Sequence, residues 1–137
     1  QAVSDIREFV NRCSDVSGIA LHTHRERNCV FEEAKACILS GRGDTERIRA
    51  QMQRYREAGM PAHYGLNEAG IIAANNRSEL AEMLLHQWWE EVISSRSMRD
   101  QLAWPYVLWK NGLKLGDVGN LGCNIMKNYK VRITKHY

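Results

Sequence analysis

The sequence lacks the short signatures by which many enzymes can be recognised. It contains no G-x-S-x-G, no H-E-x-x-H, no Walker loop and no G-x-G-x-x-G turn. Its four cysteines show no C-x-x-C spacing. Reduced core thiols are therefore expected, and disulfides only in an oxidising compartment. These absences argue against the common serine hydrolases, metalloproteases and P-loop proteins.

Long hydrophobic runs and strong net charge are also absent. The apolar run at 69–74 is far shorter than the roughly 20 residues that span a bilayer. No basic and apolar leader follows Gln1, so no signal peptide is visible here, although one could have preceded this sequence. The formal charge is only +3, and the arginines at 42–56 alternate with acids, which favours a salt-bridged surface over a nucleic-acid patch. We expect neither a membrane span nor a nucleic-acid partner.

Helical periodicity recurs along the chain. Apolar residues three or four positions apart predict five or six helices. Ser4, Asp44 and Asn76 are candidate N-caps, and Asn76 forms a capping-box pattern with Glu79. Pro105 predicts a kink, or a division into two short helices, in the last of them. The predicted helices cover 4–13, 29–39, 44–58, 76–92 and 99–112.

About three strands are predicted, at 18–21, 69–74 and 129–134. The second is apolar on both faces, which is typical of an interior strand of an α/β sheet. Three strands are too few to cover so many amphipathic helices. The first helix also has no strand before it. We therefore predict a helix-rich α/β fold whose upstream strands are missing from this sequence.

Polar residues at strand ends are the first candidates for a site, because open α/β sheets bind ligands there. His22 and His24 project to one side of an extended backbone and could share a metal. The simpler interpretation is a single histidine that contacts a ligand or a carboxylate. Glu33 is either a favourable charge at a helix N-terminus or the buried partner of Arg27.

A second group of candidates lies farther along the chain. Glu68, after Asn67, is either bonded locally or set in a cleft. Asp100 is either a plain N-cap or, with Gln101, a group that binds vicinal sugar hydroxyls. Lys110 could face a phosphate, although an exposed lysine is the simpler interpretation. Among the aromatic residues, Trp104 or Tyr106 could stack on a sugar, whereas Trp88, Trp89 and Trp109 are predicted in the core.

Several ordered blocks between about residues 20 and 110 resemble one family. His24-x-x-Arg27-x-Cys29-Val30-Phe31-x-Glu33-Ala34 resembles H-P-x-R-x-C-I-Y-E-E-A. The segments at 55–61, 68–72 and 88–91 resemble Y-x-x-E-G-M-P, E-x-G-V and W-W-x-E. Residues 99–106, R-D-Q-L-A-W-P-Y, closely match R-D-Q-L-S-F-P-Y. The chain resembles the glycosyltransferase-like family of the plant pollen turgor regulator and mucilage-related proteins, which has bacterial relatives in surface polysaccharide synthesis.

The resemblance implies a GT-A-like fold, of which residues 1–137 would be the C-terminal part. It implies a nucleotide-sugar donor, a glycan acceptor and a divalent Mn²⁺ or Mg²⁺ ion. The D-x-D motif of such enzymes lies on an upstream strand and is absent from this sequence. A bacterial-type protein would be cytoplasmic, and a plant-like one would be in the Golgi lumen.

The same resemblance assigns roles to residues. Asp100 and Glu68 are the candidate catalytic residues, and His136 is the candidate metal ligand. Two alternatives stay open: a ceramidase-type lipid-amide hydrolase, at which only His22 and His24 hint, and a non-catalytic carbohydrate-binding module. The candidate substrate-binding residues are His24, Arg27, Glu33, Asn67, Arg99, Gln101, Tyr106 and Lys110.

Overall fold

A three-stranded sheet lies at the centre of the fold in the order β2-β1-β3. The structure is a computed structural model that describes residues 4–132. The strands are β1 (Ile19–Thr23), β2 (Asn67–Ala74) and β3 (Gly119–Asn120). β1 pairs antiparallel with β2 and parallel with β3. The pairing places the end of β1 beside the start of β2.

β3 is not the third strand that the sequence predicts. It lies in the glycine-punctuated segment, where a Cβ on Gly119 would overlap the carbonyl oxygen of Arg12. Glycine therefore allows this segment to pass close to the backbone of Arg12 while it pairs with β1. Of the predicted strand at 129–134, the described part holds a turn and one isolated bridge at Val131. Its remaining residues lie outside the described range.

β2 is an edge strand of the described sheet, so the prediction of an interior strand is wrong. Asn67, Glu68 and Ala73 are buried, whereas Gly70 and Ile72 are exposed. The strand contains mainly alanine, glycine and isoleucine, and small apolar residues are compatible with either a buried or an exposed face. Hydrophobicity alone therefore did not distinguish an edge strand from an interior strand.

The described residues form five α-helices, where the sequence predicts five or six, and two of them begin at other residues than predicted. Asp44 caps the third by accepting from Arg47 N–H at 2.9 Å. The fourth is capped by Ser78 instead of Asn76, because the Ser78 hydroxyl accepts from Ala81 N–H. The bounds are α1 (Arg7–Asn11), α2 (Val30–Leu39), α3 (Thr45–Glu57), α4 (Glu79–Ser95) and α5 (Asp100–Lys110).

The first and last helices also differ from expectation. α1 is only five residues long, and the apolar Ile6 and Val10 are exposed, so Phe9 is the one residue of this helix that is buried in the core. α5 continues through Pro105 as one helix. Pro105 is fully buried there. The loss of one helical hydrogen bond is thus offset by packing on all sides.

The core divides around β1 and α5. Ile19 and Leu21 of β1 pack against α4 and α5, whereas Ala20 packs with Phe9 on the other face, as the two-residue period of a strand requires. A further cluster joins α2 and α3 to Leu102 and Tyr106 of α5. α5 is therefore held from two sides, which orients its first turn toward the start of β2.

The arginine-rich helix α3 carries the salt bridges that its sequence predicts. Arg49 bonds Glu46 at 2.9 Å on the surface, a pair that contributes at most about 1 kcal/mol. Arg54 bonds Glu91 of α4, so α3 also uses an arginine for packing between helices. Among the described residues, no helix is long and apolar enough to cross a membrane.

Candidate functional site

An open cleft of about 390 Å³ lies where the end of β1 meets the start of β2 and the first turn of α5. A 3-10 turn at Ile125–Lys127 borders it. The cleft also contains three charged residues that the sequence did not single out, Arg25, Glu26 and Arg42. The predicted site residues that line it are His24, Arg27, Glu33, Glu68 and Gln101.

Glu33 is the buried anchor of the cleft wall. Only 2% of this residue is exposed. Its Oε2 accepts from Arg27 Nε at 2.6 Å, and its Oε1 accepts from the Cys37 thiol at 3.6 Å. The bond to Glu33 raises the pKa of Arg27. The predicted buried pairing of Glu33 with Arg27 is confirmed.

His24 holds the segment between β1 and α2. Its Nδ1 accepts from the backbone N–H groups of Glu26 and Arg27 at 3.2 and 3.0 Å. The ring proton is therefore assigned to Nε2, which lies 3.4 Å from Glu33 Oε2. Burial lowers the pKa of His24, and the attraction of Glu33 opposes this only in part. A neutral His24 positions Arg27 and the cleft wall.

Glu68 combines both interpretations that its sequence position left open. It lines the cleft, and its Oε2 accepts from Ile125 N–H at 2.8 Å. That bond holds the first residue of the 3-10 turn against the start of β2. The negative charge of Glu68 also acts on the neighbouring histidines, since it opposes the lowering of pKa at both His22 and His24.

The charges around the cleft suit an anionic, hydroxyl-bearing ligand. Arg27 Nη1 lies 3.1 Å from Glu26 Oε2, and Arg25 Nε lies 3.4 Å from Glu26 Oε1. Arg42 donates through Nε to the Ser40 hydroxyl at 2.8 Å. Guanidinium groups bind phosphates through paired hydrogen bonds, and carboxylates and amides bind sugar hydroxyls. The cleft presents both kinds of group.

Asn67 lies beneath the cleft and is bonded within the protein. Its amide donates to the His22 carbonyl at 3.3 Å, and its Oδ1 accepts from Trp104 Nε1 at 3.1 Å. Trp104 is 1% exposed. The suggestion that Trp104 stacks on a sugar is therefore wrong, because the indole is part of the core. Contact between Asn67 and a substrate stays a prediction.

Asp100 lies next to the cleft but is not among the residues that line it. It is the exposed first residue of α5, and its Oδ1 accepts from Gln101 N–H at 2.7 Å. Its carbonyl accepts from Trp88 Nε1 at 2.8 Å. Arg99 precedes it, half-buried, with an Nε that has no hydrogen-bond partner within residues 4–132. Gln101, which lines the cleft, directly follows Arg99 and Asp100 in the chain.

Tyr106 and Lys110 lie at a different hollow, which they share with Glu91. Tyr106 is stacked on Tyr55 with the ring centroids 4.0 Å apart. Lys110 Nζ lies 5.6 Å from the Tyr106 ring. The structure therefore does not bring these two residues together with the cleft, and their contact with a substrate stays a prediction.

The other tryptophans are divided between core and surface. Trp88 is buried with α5, as predicted. Trp109 is partly buried against the cluster of α2 and α3, in agreement with the sequence. Trp89, however, is 65% exposed, so its assignment to the core is wrong. Adjacent helical positions point about 100° apart, so the pair Trp88 and Trp89 could not both face the core.

The predicted metal ligands do not form a group in the described part of the chain. His22 is buried, and its Nε2 lies 2.9 Å from Asn128 Nδ2, while His24 faces Glu33. His136 lies outside the described residues. Among residues 4–132, one trio of metal-ligating side chains has ligand atoms within 4.8 Å of one another. Its members, Cys29, Glu32 and His63, were not predicted as metal ligands from the sequence.

Some of the functional residues that were not predicted nevertheless had a weak signal in the sequence. Arg42 stands between Gly41 and Gly43 directly after a helix, where a backbone turn can present a side chain to a cleft. Cys29 and Glu32 have the spacing of a helix N-cap and its third residue. Nothing in the sequence, however, indicated that His63 would lie beside them.

Comparison with known proteins assigns the family. No curated protein and no solved structure matches the chain. The family model described as TOD1/MUCI70, glycosyltransferase-like domain, matches residues 6–133. This range includes every residue that lines the cleft. The chain therefore belongs to the TOD1/MUCI70 glycosyltransferase-like domain family.

Proposed function

We propose that this domain transfers a sugar from a nucleotide-linked donor to a glycan acceptor, with the sugar diphosphate in the cleft. The observation that supports this most is the placement of Arg25, Arg42 and Glu68 around one open hollow. Cations are needed for a diphosphate and oxygen acceptors for a sugar. The part in surface polysaccharide synthesis and the GT-A-like fold are proposed from the family resemblance.

The arginines have the chemistry for the diphosphate. Arg25 and Arg42 are exposed at the cleft, whereas Arg27 is tied to Glu33. A charge-assisted hydrogen bond contributes about 1.5–3 kcal/mol. Two such contacts would account for a large part of donor affinity. They would also stabilise the negative charge that develops on the leaving diphosphate during transfer.

The polar groups of α5 and β2 would hold the sugar. Asp100 and Gln101 would orient vicinal hydroxyls, and Glu68 would line the donor pocket. Asp100 and Glu68 remain the proposed catalytic residues. His24 would act as a positioning residue, because its nitrogens are bonded to the cleft wall and to Glu33.

A Mn²⁺ or Mg²⁺ ion, with His136 as a ligand, completes the proposal by analogy with GT-A enzymes. Both ions prefer oxygen ligands. Of the carboxylates of the cleft, however, Glu33 is bonded to Arg27 and Glu68 to Ile125 N–H. No three-ligand group exists among the described cleft residues. The arginines are therefore the described groups that can neutralise a diphosphate.

Donor binding tests the proposal directly. Calorimetric titration of the protein with UDP- and GDP-sugars, with and without Mn²⁺, should show saturable binding of at least one donor. Arg42→Ala should weaken that binding about tenfold or more, because one charge-assisted contact is lost. The matched control is Arg47→Ala, an exposed arginine that does not line the cleft. Equal affinities for the two variants would contradict the proposal.

Turnover distinguishes an enzyme from a binding module. Asp100→Asn can still accept the Gln101 N–H bond but loses the charge, so kcat should fall about 10²-fold or more while donor affinity is retained. The control is Asp117→Asn, because Asp117 accepts a backbone bond at another helix start. Donor binding without any turnover would favour the non-catalytic module. Release of a fatty acid from a lipid amide would favour the hydrolase.

A further inference from the structure

A group of three potential metal ligands lies outside the cleft, at the start of α2. The ligand atoms of Cys29, Glu32 and His63 all lie within 4.8 Å of one another. We propose that these residues form a Zn²⁺ site that fastens the loop at 60–66 to the start of α2. The site does not depend on the proposed sugar transfer, and either proposal can fail alone.

The helix geometry brings the first two ligands together. Cys29 is the N-cap of α2 in an extended conformation, and its side chain makes no capping hydrogen bond. Glu32 is the third helical residue, the position whose side chain reaches back toward the N-cap. Both side chains therefore lie at the start of the same helix, one turn apart. The thiol is buried, and the carboxylate is exposed.

The third ligand arrives from the loop in a favourable orientation. His63 Nδ1 lies 2.7 Å from Asn28 Oδ1, and His63 Nε2 lies 3.9 Å from Glu32 Oε1. Asn28 Oδ1 can only accept, so the ring proton is assigned to Nδ1. In the neutral ring, the bare Nε2 lone pair then faces a carboxylate oxygen. Two acceptors placed face to face repel each other unless a cation or a proton lies between them.

The same contacts resemble those that orient metal-bound histidines, which donate their other N–H to an oxygen. Asn28 supplies that oxygen, and its carbonyl also accepts from Gly65 N–H at 2.9 Å. One residue therefore holds the loop and aims the imidazole. His63 itself has φ 56, a left-handed conformation that costs energy in a residue other than glycine. A metal bond would help to stabilise that conformation.

The donor set selects the metal. A thiolate, an imidazole and a carboxylate suit zinc, which takes sulfur, nitrogen and oxygen ligands in tetrahedral geometry. Mg²⁺ and Mn²⁺ prefer sites made of oxygen. Three protein ligands leave the fourth position to water, and the exposure of Glu32 and His63 gives access to it. This selectivity distinguishes the site from the Mn²⁺ or Mg²⁺ proposed for the cleft.

Metal titration of the metal-free protein tests the site. Zn²⁺ should bind with one-to-one stoichiometry, and Co²⁺ in its place should give a thiolate-to-cobalt charge-transfer band. Cys29→Ser should abolish the band, whereas Cys123→Ser, at an exposed cysteine, should keep it. His63→Ala should abolish binding, whereas His86→Ala should not, although His86 also pairs with a glutamate, Glu90, at 3.2 Å.

Two further variants keep the test decisive if loss of the buried Cys29 impairs folding. Asn28→Ala removes no ligand and should weaken Zn²⁺ affinity about 10–100-fold, as loss of an outer-shell partner does. Glu32→Gln lies on the surface and should also weaken it. The proposal is overturned if the wild-type protein binds no stoichiometric Zn²⁺. It is also overturned if His63→Ala and His86→Ala bind it equally, because His63 would then not be a ligand.

Discussion

Glu32 and Glu33 are neighbours in the first turn of α2, yet they belong to two different sites. Glu33 is 2% exposed and bonds Arg27 and His24 in the cleft wall. Glu32 is exposed and faces His63 across an open surface. Successive helical residues point about 100° apart, so one turn supplies a carboxylate to each side.

The difference lies in the partners. The charge of Glu33 is compensated by the partly buried guanidinium of Arg27, and a buried charge that loses its partner is strongly destabilising. The charge of Glu32 is solvated, and an exposed pair contributes little to folding. Glu33 therefore stabilises the cleft wall, whereas Glu32 is available to bind a ligand. The following predictions test this contrast.

The largest effect is expected from Glu33→Gln. The substitution keeps the size of the side chain but leaves Arg27 without its buried carboxylate. We expect the free energy of unfolding to fall by about 3 kcal/mol, at the lower end of the range for broken buried pairs because Arg27 can reach water. Urea unfolding followed by circular dichroism measures it. A change below about 1 kcal/mol would show that the pair is not a structural anchor.

A smaller effect should appear as a dependence of stability on pH. Burial lowers the pKa of His24 below its ordinary value of 6.5, so below that pH the unfolded chain binds more protons than the folded protein. The stability that the buried, neutral His24 contributes is therefore fully present above pH 6.5. It is lost as the pH falls through that value toward the pKa of His24 in the folded protein. His22 has a shift in the same direction for the same main cause.

Urea midpoints measured from about pH 7.5 down to about pH 5 would show this loss. His24→Asn should reduce the slope, because one of the two buried histidines no longer titrates. His86→Asn, at an exposed histidine, should leave the slope as it is in the wild-type protein. If the two variants have the same profile, burial of His24 does not control the acid stability of the cleft wall.

Local patterns predicted the helices and part of the cleft correctly. Apolar spacing and the Asp44 cap indicated α2 to α5, because α2, α3 and α4 each bury one face and α5 is buried over most of its length. The alternatives for Glu33 and Glu68 included the observed ones. In both cases a charged residue beside an apolar segment required a partner, and that requirement can be read from a sequence.

The missing information concerned contacts between distant segments. β3 has two residues and depends on the close approach of Gly119 to Arg12, which no periodicity reveals. Tyr106 and Lys110 follow Gln101 on the same helix, but Tyr106 packs on Tyr55 of α3 and lies away from the cleft. Likewise, the meeting of His63 with Cys29 depends on the path of a loop. Tertiary packing decides such contacts, and local propensity does not encode them.

The smallest effect is expected from Glu32→Gln in the presence of a chelator. An exposed carboxylate that faces a histidine at 3.9 Å contributes little, so the free energy of unfolding should change by less than about 0.5 kcal/mol. Since the neighbouring Glu33→Gln alters the same chemical group, the two variants compare a buried, paired carboxylate with an exposed one. Addition of Zn²⁺ should then stabilise the wild-type protein more than Glu32→Gln, because a ligand that binds only the folded state raises its stability. Equal effects of zinc on both proteins would remove Glu32 from the metal site while leaving the contrast in burial intact.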